Sequence, residues 1–218
     1  MTRAEIEQYI DNNVLLGNIV TENSRVYKFC ENSMSNPALL GSVYIEGFYI
    51  KKDNRNKIHL AYYDGDYEEL NLGDCIDIID SEGFINNHNV RCISGKSVIK
   101  IGDSSFYSSY VERVDFPNLI TIGESAFYNS SITDVVFNKV KKIPLHAFMG
   151  SQLRSFKGDE VEVVGEGGFQ YCEYLKRLIL PKVKKIHLGY CENTYEEGKW
   201  IADLQISKDC RFNYKSVY

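Results

Sequence analysis

The sequence predicts an α+β, mostly β chain: a solenoid of five to six stacked units of 21–22 residues behind an amino-terminal cap of one helix and several strands. Three observations predict it. A hexapeptide ending in Phe recurs at near-constant spacing. The residues between its copies match in register. The first 69 residues follow neither pattern and read instead as helix followed by β formers.

The chain has 218 residues, 44% hydrophobic and 25% charged, with only 4 Pro, a composition that folds rather than stays disordered. Its net charge of -5 offers no general basic excess for phosphate neutralisation, so nucleic acid is not an expected partner. Six cysteines, at 30, 75, 92, 172, 191 and 210, include no Cys-x-x-Cys and no Cys/His pair at zinc spacing. They are expected to be reduced and mostly buried, and neither a metal nor a cofactor is implied. The first seven residues carry no leader-like apolar stretch, and no run is long enough to span a bilayer. An intracellular, cytoplasmic protein without membrane contact is therefore expected, with a cell-surface location if the chain was trimmed.

In residues 1–69, Thr2-Arg3-Ala4-Glu5 has the form of a capping box, and Ile6, Tyr9, Ile10 and Val14 keep helical spacing, predicting a helix to about residue 13. Arg25–Cys30, Val43–Ile45, Phe48–Lys51 and Lys57–Tyr62 are rich in β formers, and Asp53-Asn54-Arg55-Asn56 reads as a hairpin turn. This segment is expected to cap the first repeat or to form a separate small module.

From residue 70 the period takes over. Ile101-Gly102-Asp103-Ser104-Ser105-Phe106 returns at 122, 143 and 164, intervals of 21, with a weaker copy at 79. Between them Val111, Val114, Phe116 and Leu119 correspond to Ile132, Val135, Phe137 and Val140, then to Leu153, Phe156, Gly158 and Val161, and then to Leu175, Leu178, Leu180 and Val183. The unit, approximately Leu-x-x-Ile-x-Ile-Pro-x-x-Val-x-x-Ile-Gly-x-x-Ala-Phe-x-x-Cys, resembles the BspA-like leucine-rich repeats. Pro117 and Pro181 take the proline position and Cys172 the cysteine position. The resemblance covers residues 70–210, and 211–218 reads as a tail. It implies a binding scaffold, often found on cell surfaces, and specifies no partner.

Several residues carry sharper expectations. Phe84, Phe106, Phe127, Phe148 and Phe169 keep strict register and are read as an internal aromatic ladder. Gly102, Gly123 and Gly165 are read as turn glycines, placed where the chain enters a short helical segment and positive φ is useful. The array falters after Ile186, where His187 and Cys191 replace the expected Gly and Phe, and Leu204 and Ile206 suggest a last strand closing the core.

The chemistry-bearing residues form no catalytic pattern. His59, His88, His146 and His187 are scattered, and the Gly165-x-Gly167-Gly168 cluster lacks the Lys-Ser/Thr of a phosphate loop. Asp64-Gly65-Asp66 lacks calcium-loop spacing and reads as a solvated acidic turn. The chain is therefore not expected to be an enzyme.

A protein-binding scaffold using the strand face is the expected function, with an intracellular inhibitor or immunity-type factor as the preferred setting. A surface adhesin or structural module, and an enzyme in the amino-terminal segment, are the alternatives. From the register, that face carries Arg113, Asp115, Asp134, Val136, Lys157, Arg177, Ile179 and Asp203, beside Cys92, Ser94, Ser155 and Gln205. The loop holding Trp200 is a second candidate contact, and both charge signs are interspersed. A further row of Lys139, Lys141 and Lys142, then Glu160 and Glu162, then Lys182, Lys184 and Lys185 reads as charge compensation between neighbouring repeats.

Overall fold

The computed structural model describes residues 2–21, 39–187 and 203–212. The expected strand at 25–30 and the Trp200 loop lie outside these residues.

Helix α1 (Arg3–Leu15) begins with both halves of the capping box in place: Thr2 Oγ1 accepts from the Glu5 N–H, and the Glu5 carboxylate accepts from the Thr2 N–H. Ile10 is its buried residue, and Ile6 and Tyr9 pack against the core. Strands β1 (Val43–Ile45), β2 (Phe48–Lys52) and β3 (Ile58–Tyr63) form an antiparallel meander. The turn from β2 to β3 is tied by Asp53, whose Oδ1 accepts from the N–H groups of Arg55 and Lys57, and Asn56 takes a left-handed φ of 59°.

Beyond β3 the ladders are parallel, and each rung supplies one strand to each of two faces, except that the rung of β8 reaches the second face only through an isolated bridge at Thr121. The strands run β4 (Glu69–Asn71), β5 (Ile78–Ile79), β6 (Cys92–Ser94), β7 (Lys100–Ile101), β8 (Arg113–Asp115), β9 (Asp134–Val136), β10 (Lys142–Ile143), β11 (Ser155–Lys157), β12 (Val163–Val164), β13 (Arg177–Leu180), β14 (Lys185–Ile186), β15 (Asp203–Ile206) and β16 (Arg211–Phe212). The first sheet face comprises β4-β6-β8 and β9-β11-β13-β15. The second comprises β1-β2-β3-β5-β7 and β10-β12-β14-β16.

One rung-to-rung junction interrupts both faces. β8 and β9 lie side by side without a ladder, and Thr121 bridges to Lys100 while making no bridge toward Lys142. A third column of contacts carries the stack across this junction. There the backbone N–H groups of Ser125, Phe127 and Asn129 donate to the carbonyls of Leu145, Ala147 and Met149.

That column is built around phenylalanine. Phe84, Phe106, Phe127, Phe148 and Phe169 stack in order at centroid separations of 5.0, 5.0, 5.2 and 5.5 Å, and all are buried. Tyr63 extends the ladder toward the cap at 5.5 Å from Phe84. Beside the rings, the hydroxyls of Ser105, Ser109 and Ser130 each donate to a carbonyl three residues back, satisfying polar groups that burial would otherwise strand.

Gly102 and Gly123 have a different role from the one read in the sequence. Neither takes a positive φ. A Cβ on Gly102 would collide with the backbone of Ser81, and one on Gly123 with that of Asp103. They are small because adjacent rungs touch there. The left-handed positions fall two residues later, on Glu82, Ser104, Ser125, His146 and Gly167, and the segment is a run of turns rather than a helix.

The α1 and meander region shares one core with the rungs, from Ile10, Val43, Ile50 and Tyr63 through to Ile186. Polar ties reinforce it. Buried Asp77 accepts from Arg3 of α1 at 2.8 Å, from Lys57 at 3.0 Å and from the Ile58 N–H at 3.0 Å. Burial opposes its ionisation, but these donors outweigh it and hold the carboxyl below the usual aspartate range. Asp80 joins His59 at 2.6 Å and Lys51 at 3.0 Å, and Asp53 approaches the other His59 nitrogen at 3.4 Å. Burial pulls the His59 pKa down, and the two carboxylates more than reverse it, leaving it raised.

At the far end β15 extends the first sheet, but Leu204 is 45% exposed where Leu178, Phe156 and Val135 of the preceding rungs are buried. Ile206 packs partly against the core, so β15 closes it only in part. Of the four described cysteines only Cys172 is buried, its thiol donating to the Phe148 carbonyl at 3.0 Å.

Candidate functional site

The period-two alternation of a strand turns Val114, Val135, Phe156, Leu178 and Leu204 to one side and their neighbours to the other. Parallel register then aligns those neighbours into two rows. One runs Glu69, Cys92, Arg113 and, past the interruption, Asp134, Ser155, Arg177, Asp203. The other runs Asn71, Ser94, Asp115 and then Val136, Lys157, Ile179, Gln205. Eight of the nine residues singled out from the sequence thus lie on one surface: Arg113, Asp115, Asp134, Val136, Lys157, Arg177, Ile179 and Asp203. Trp200, the ninth, lies outside the described residues. Glu69 and Asn71 belong to the same rows and were not anticipated. Leu70 between them is in register with Ile93, which is the signal that finds them.

The charges on this face are partly satisfied from within. Arg177 pairs with Asp203 at 3.0 Å and Lys157 with Asp159 at 3.1 Å, while the Arg113 guanidinium donates to the Cys92 sulfur at 3.1 Å. Solvent screens exposed contacts of this kind, so they position side chains more than they stabilise the fold. Val136, 57% exposed, and the half-buried Ile179 flank Lys157 and give the carboxy-terminal half an apolar patch. An open groove of about 640 Å³ runs across β4, β6 and β8 as far as the start of β9, bordered by Asn71, Ser94, Arg113, Asp115 and Asp134. A surface with a small apolar patch, charges of both signs and an open groove is suited to contact, and it assembles no nucleophile with a base.

A sequence profile of the BspA type leucine rich repeat region matches residues 58–176 in six copies, more than half of the chain. The chain belongs to the BspA-type leucine-rich repeat family. Among solved structures, a leucine rich cell surface protein from Faecalibacterium prausnitzii A2-165 is 21% identical with a TM-score of 0.56, covering 66% of this chain and 44% of that one. A leucine-rich repeat protein from Eubacterium ventriosum ATCC 27560 is 14% identical with a TM-score of 0.45, covering 64% of this chain and 44% of that one. The chain therefore spans less than half the length of either. No curated protein matches it significantly.

BspA-type repeats form solenoid scaffolds, and leucine-rich-repeat proteins as a class bind other proteins. Among the described residues no helix is long and apolar enough to cross a membrane.

Proposed function

We propose that this chain is a non-enzymatic scaffold that binds a protein through the first sheet face. The observation that carries the reading is the register. Seven strands align two outward rows in which Val136 and Ile179 supply apolar contact, while Arg113, Asp115, Asp134 and Lys157 supply charges of both signs. Such a mixture suits a protein surface better than a polyanion or an apolar ligand.

The test is affinity capture from the native host, comparing wild type with a variant reversing charge at Arg113, Asp134, Lys157 and Arg177. Loss of one protein from a variant with unchanged circular dichroism supports the face. Equal capture by both contradicts it and turns attention to the segment around Trp200.

An inhibitor or immunity-type factor inside the cell is the finer form of this reading. A surface adhesin or structural module is the second reading, prompted by the cell-surface description of the F. prausnitzii relative in fold. Fractionation separates them, because the first requires the chain in the cytoplasm and the second on the envelope.

A further inference from the structure

The second sheet carries a feature that the sequence alone disguises. Its ladders align one outward row: Lys51, His59, Ile78, Lys100 and Thr121, then Lys142, Val163, Lys185 and Arg211. The row holds no acid. Its first two cations are engaged by Asp80, with Asp53 also on His59. The next four, Lys100, Lys142, Lys185 and Arg211, are exposed and make no ion pair with a described residue.

The compensation expected between repeats is present on the 182–185 side at Lys182 and Lys184, while Lys139, Lys141 and Lys142 make no ion pair with a described residue and Lys139 donates to Asn118 instead. Glu160 pairs with Lys182 and Glu162 with Lys184, which leaves Lys142 and Lys185 without an acidic partner among the described residues. At the interruption between Thr121 and Lys142 a groove of about 470 Å³ brings Lys100, Lys141 and Lys142 together. Asp103 and Glu124 border it, and Asp103 already accepts from the Glu124 N–H at 2.8 Å.

We infer that this second face docks an extended acidic segment of a protein, running along the stack and placing a carboxylate on alternate rungs. The spacing favours that occupant. Lys142 and Lys185 are two rungs apart, about 9.6 Å at a strand separation of about 4.8 Å. A polyproline II segment returns to the same side every third residue, about 9.3 Å. A nucleic-acid duplex instead carries a phosphate per strand roughly every 3.4 Å of its helix axis, a denser repeat than the row offers, and single-strand binding uses aromatic platforms. From Ile78 to Arg211 the described row has no aromatic residue. The surface is separate from the face proposed above, so either can fail without the other.

The probe is a fluorescent peptide of about 18 residues with glutamate at every third position among serine and proline, titrated by fluorescence polarisation at low salt. A second peptide of the same composition gathers its glutamates into one block, and an oligothymidylate of similar length is the third ligand. The full chain is compared with a Lys100→Gln, Lys142→Gln, Lys185→Gln variant and with a control neutralising exposed Lys96, Lys176 and Lys208; thermal melts confirm that each is folded. The inference expects the spaced peptide to bind more tightly than the blocked one, to weaken about tenfold or more in the row variant, and to change less than twofold in the control. Equal weakening in both variants, absence of binding, or tighter binding of the oligothymidylate through the same lysines would overturn it.

Discussion

Replacing Phe127 with Ala removes the centre of the aromatic ladder. Its ring is fully buried, lies 5.0 Å from Phe106 and 5.2 Å from Phe148, and meets Phe137 at 6.3 Å. Truncating a buried Phe costs about 3–5 kcal/mol through lost burial and the remaining cavity. The high end is expected here, because the neighbouring rings are held in register by backbone hydrogen bonds on both sides and cannot collapse into the space. The column is also the continuous connection across the junction where both sheets lapse, so the loss falls where the stack has least other support. For a chain of this size about 2–4 °C accompanies each kcal/mol, giving a fall in Tm of roughly 6–20 °C. Calorimetry reads the total. Hydrogen exchange shows whether residues 132–187 and 43–121 open separately, as a linear array permits. An unchanged Tm, or a loss below about 1 kcal/mol, would refute the ladder as the spine of the fold.

Asp77→Asn is expected to cost about 3 kcal/mol by weakening the ties to Arg3 and Lys57, with faster amide exchange in α1 than in β13. Because the Asp77 pKa is depressed, its contribution is present above the unfolded aspartate value and is lost as pH falls through the folded value; the variant should show shallower acid destabilisation on urea titration. His59 is shifted upward, so its contribution holds below the unfolded imidazole pKa and fades as pH rises through the folded one. Stability should therefore decline less in His59→Gln as pH rises above the unfolded imidazole pKa, and an identical slope would remove His59 from the account. Gly123→Ala should cost about 1–3 kcal/mol because the new Cβ meets the Asp103 backbone, whereas Gly41→Ala, with open space around it, should cost only its φ strain. Equal losses by thermal melt would contradict the packing explanation.

The repeat was legible because a solenoid core demands the same side chain at the same place on each turn, and Phe106 to Phe169 obey that demand openly. The capping box at Thr2 and the hairpin turn at Asp53 were equally local and equally readable. Gly102 was misread because sequence reports the absence of a side chain without distinguishing positive φ from close backbone approach. The interruption between β8 and β9 leaves no mark, since Val114 and Val135 keep the inward pattern whether or not their backbones pair. Glu69 and Asn71 were missed because β4 precedes the first clear copy of the Phe motif. The basic row was hidden for a geometric reason. Lys184 and Lys185 are adjacent in sequence but belong to different rows, and only the ladder register separates Lys184, paired with Glu162, from Lys185, which has no acidic partner among the described residues.

The most direct test of the first sheet face as the binding surface is a photo-crosslinking residue placed singly at Val136, at Ile179 and, as a control, at Leu145, which is exposed at a turn. The account predicts that Val136 and Ile179 trap the same protein from the host lysate and that Leu145 does not. Trapping from Leu145 alone, or from all three alike, would contradict it.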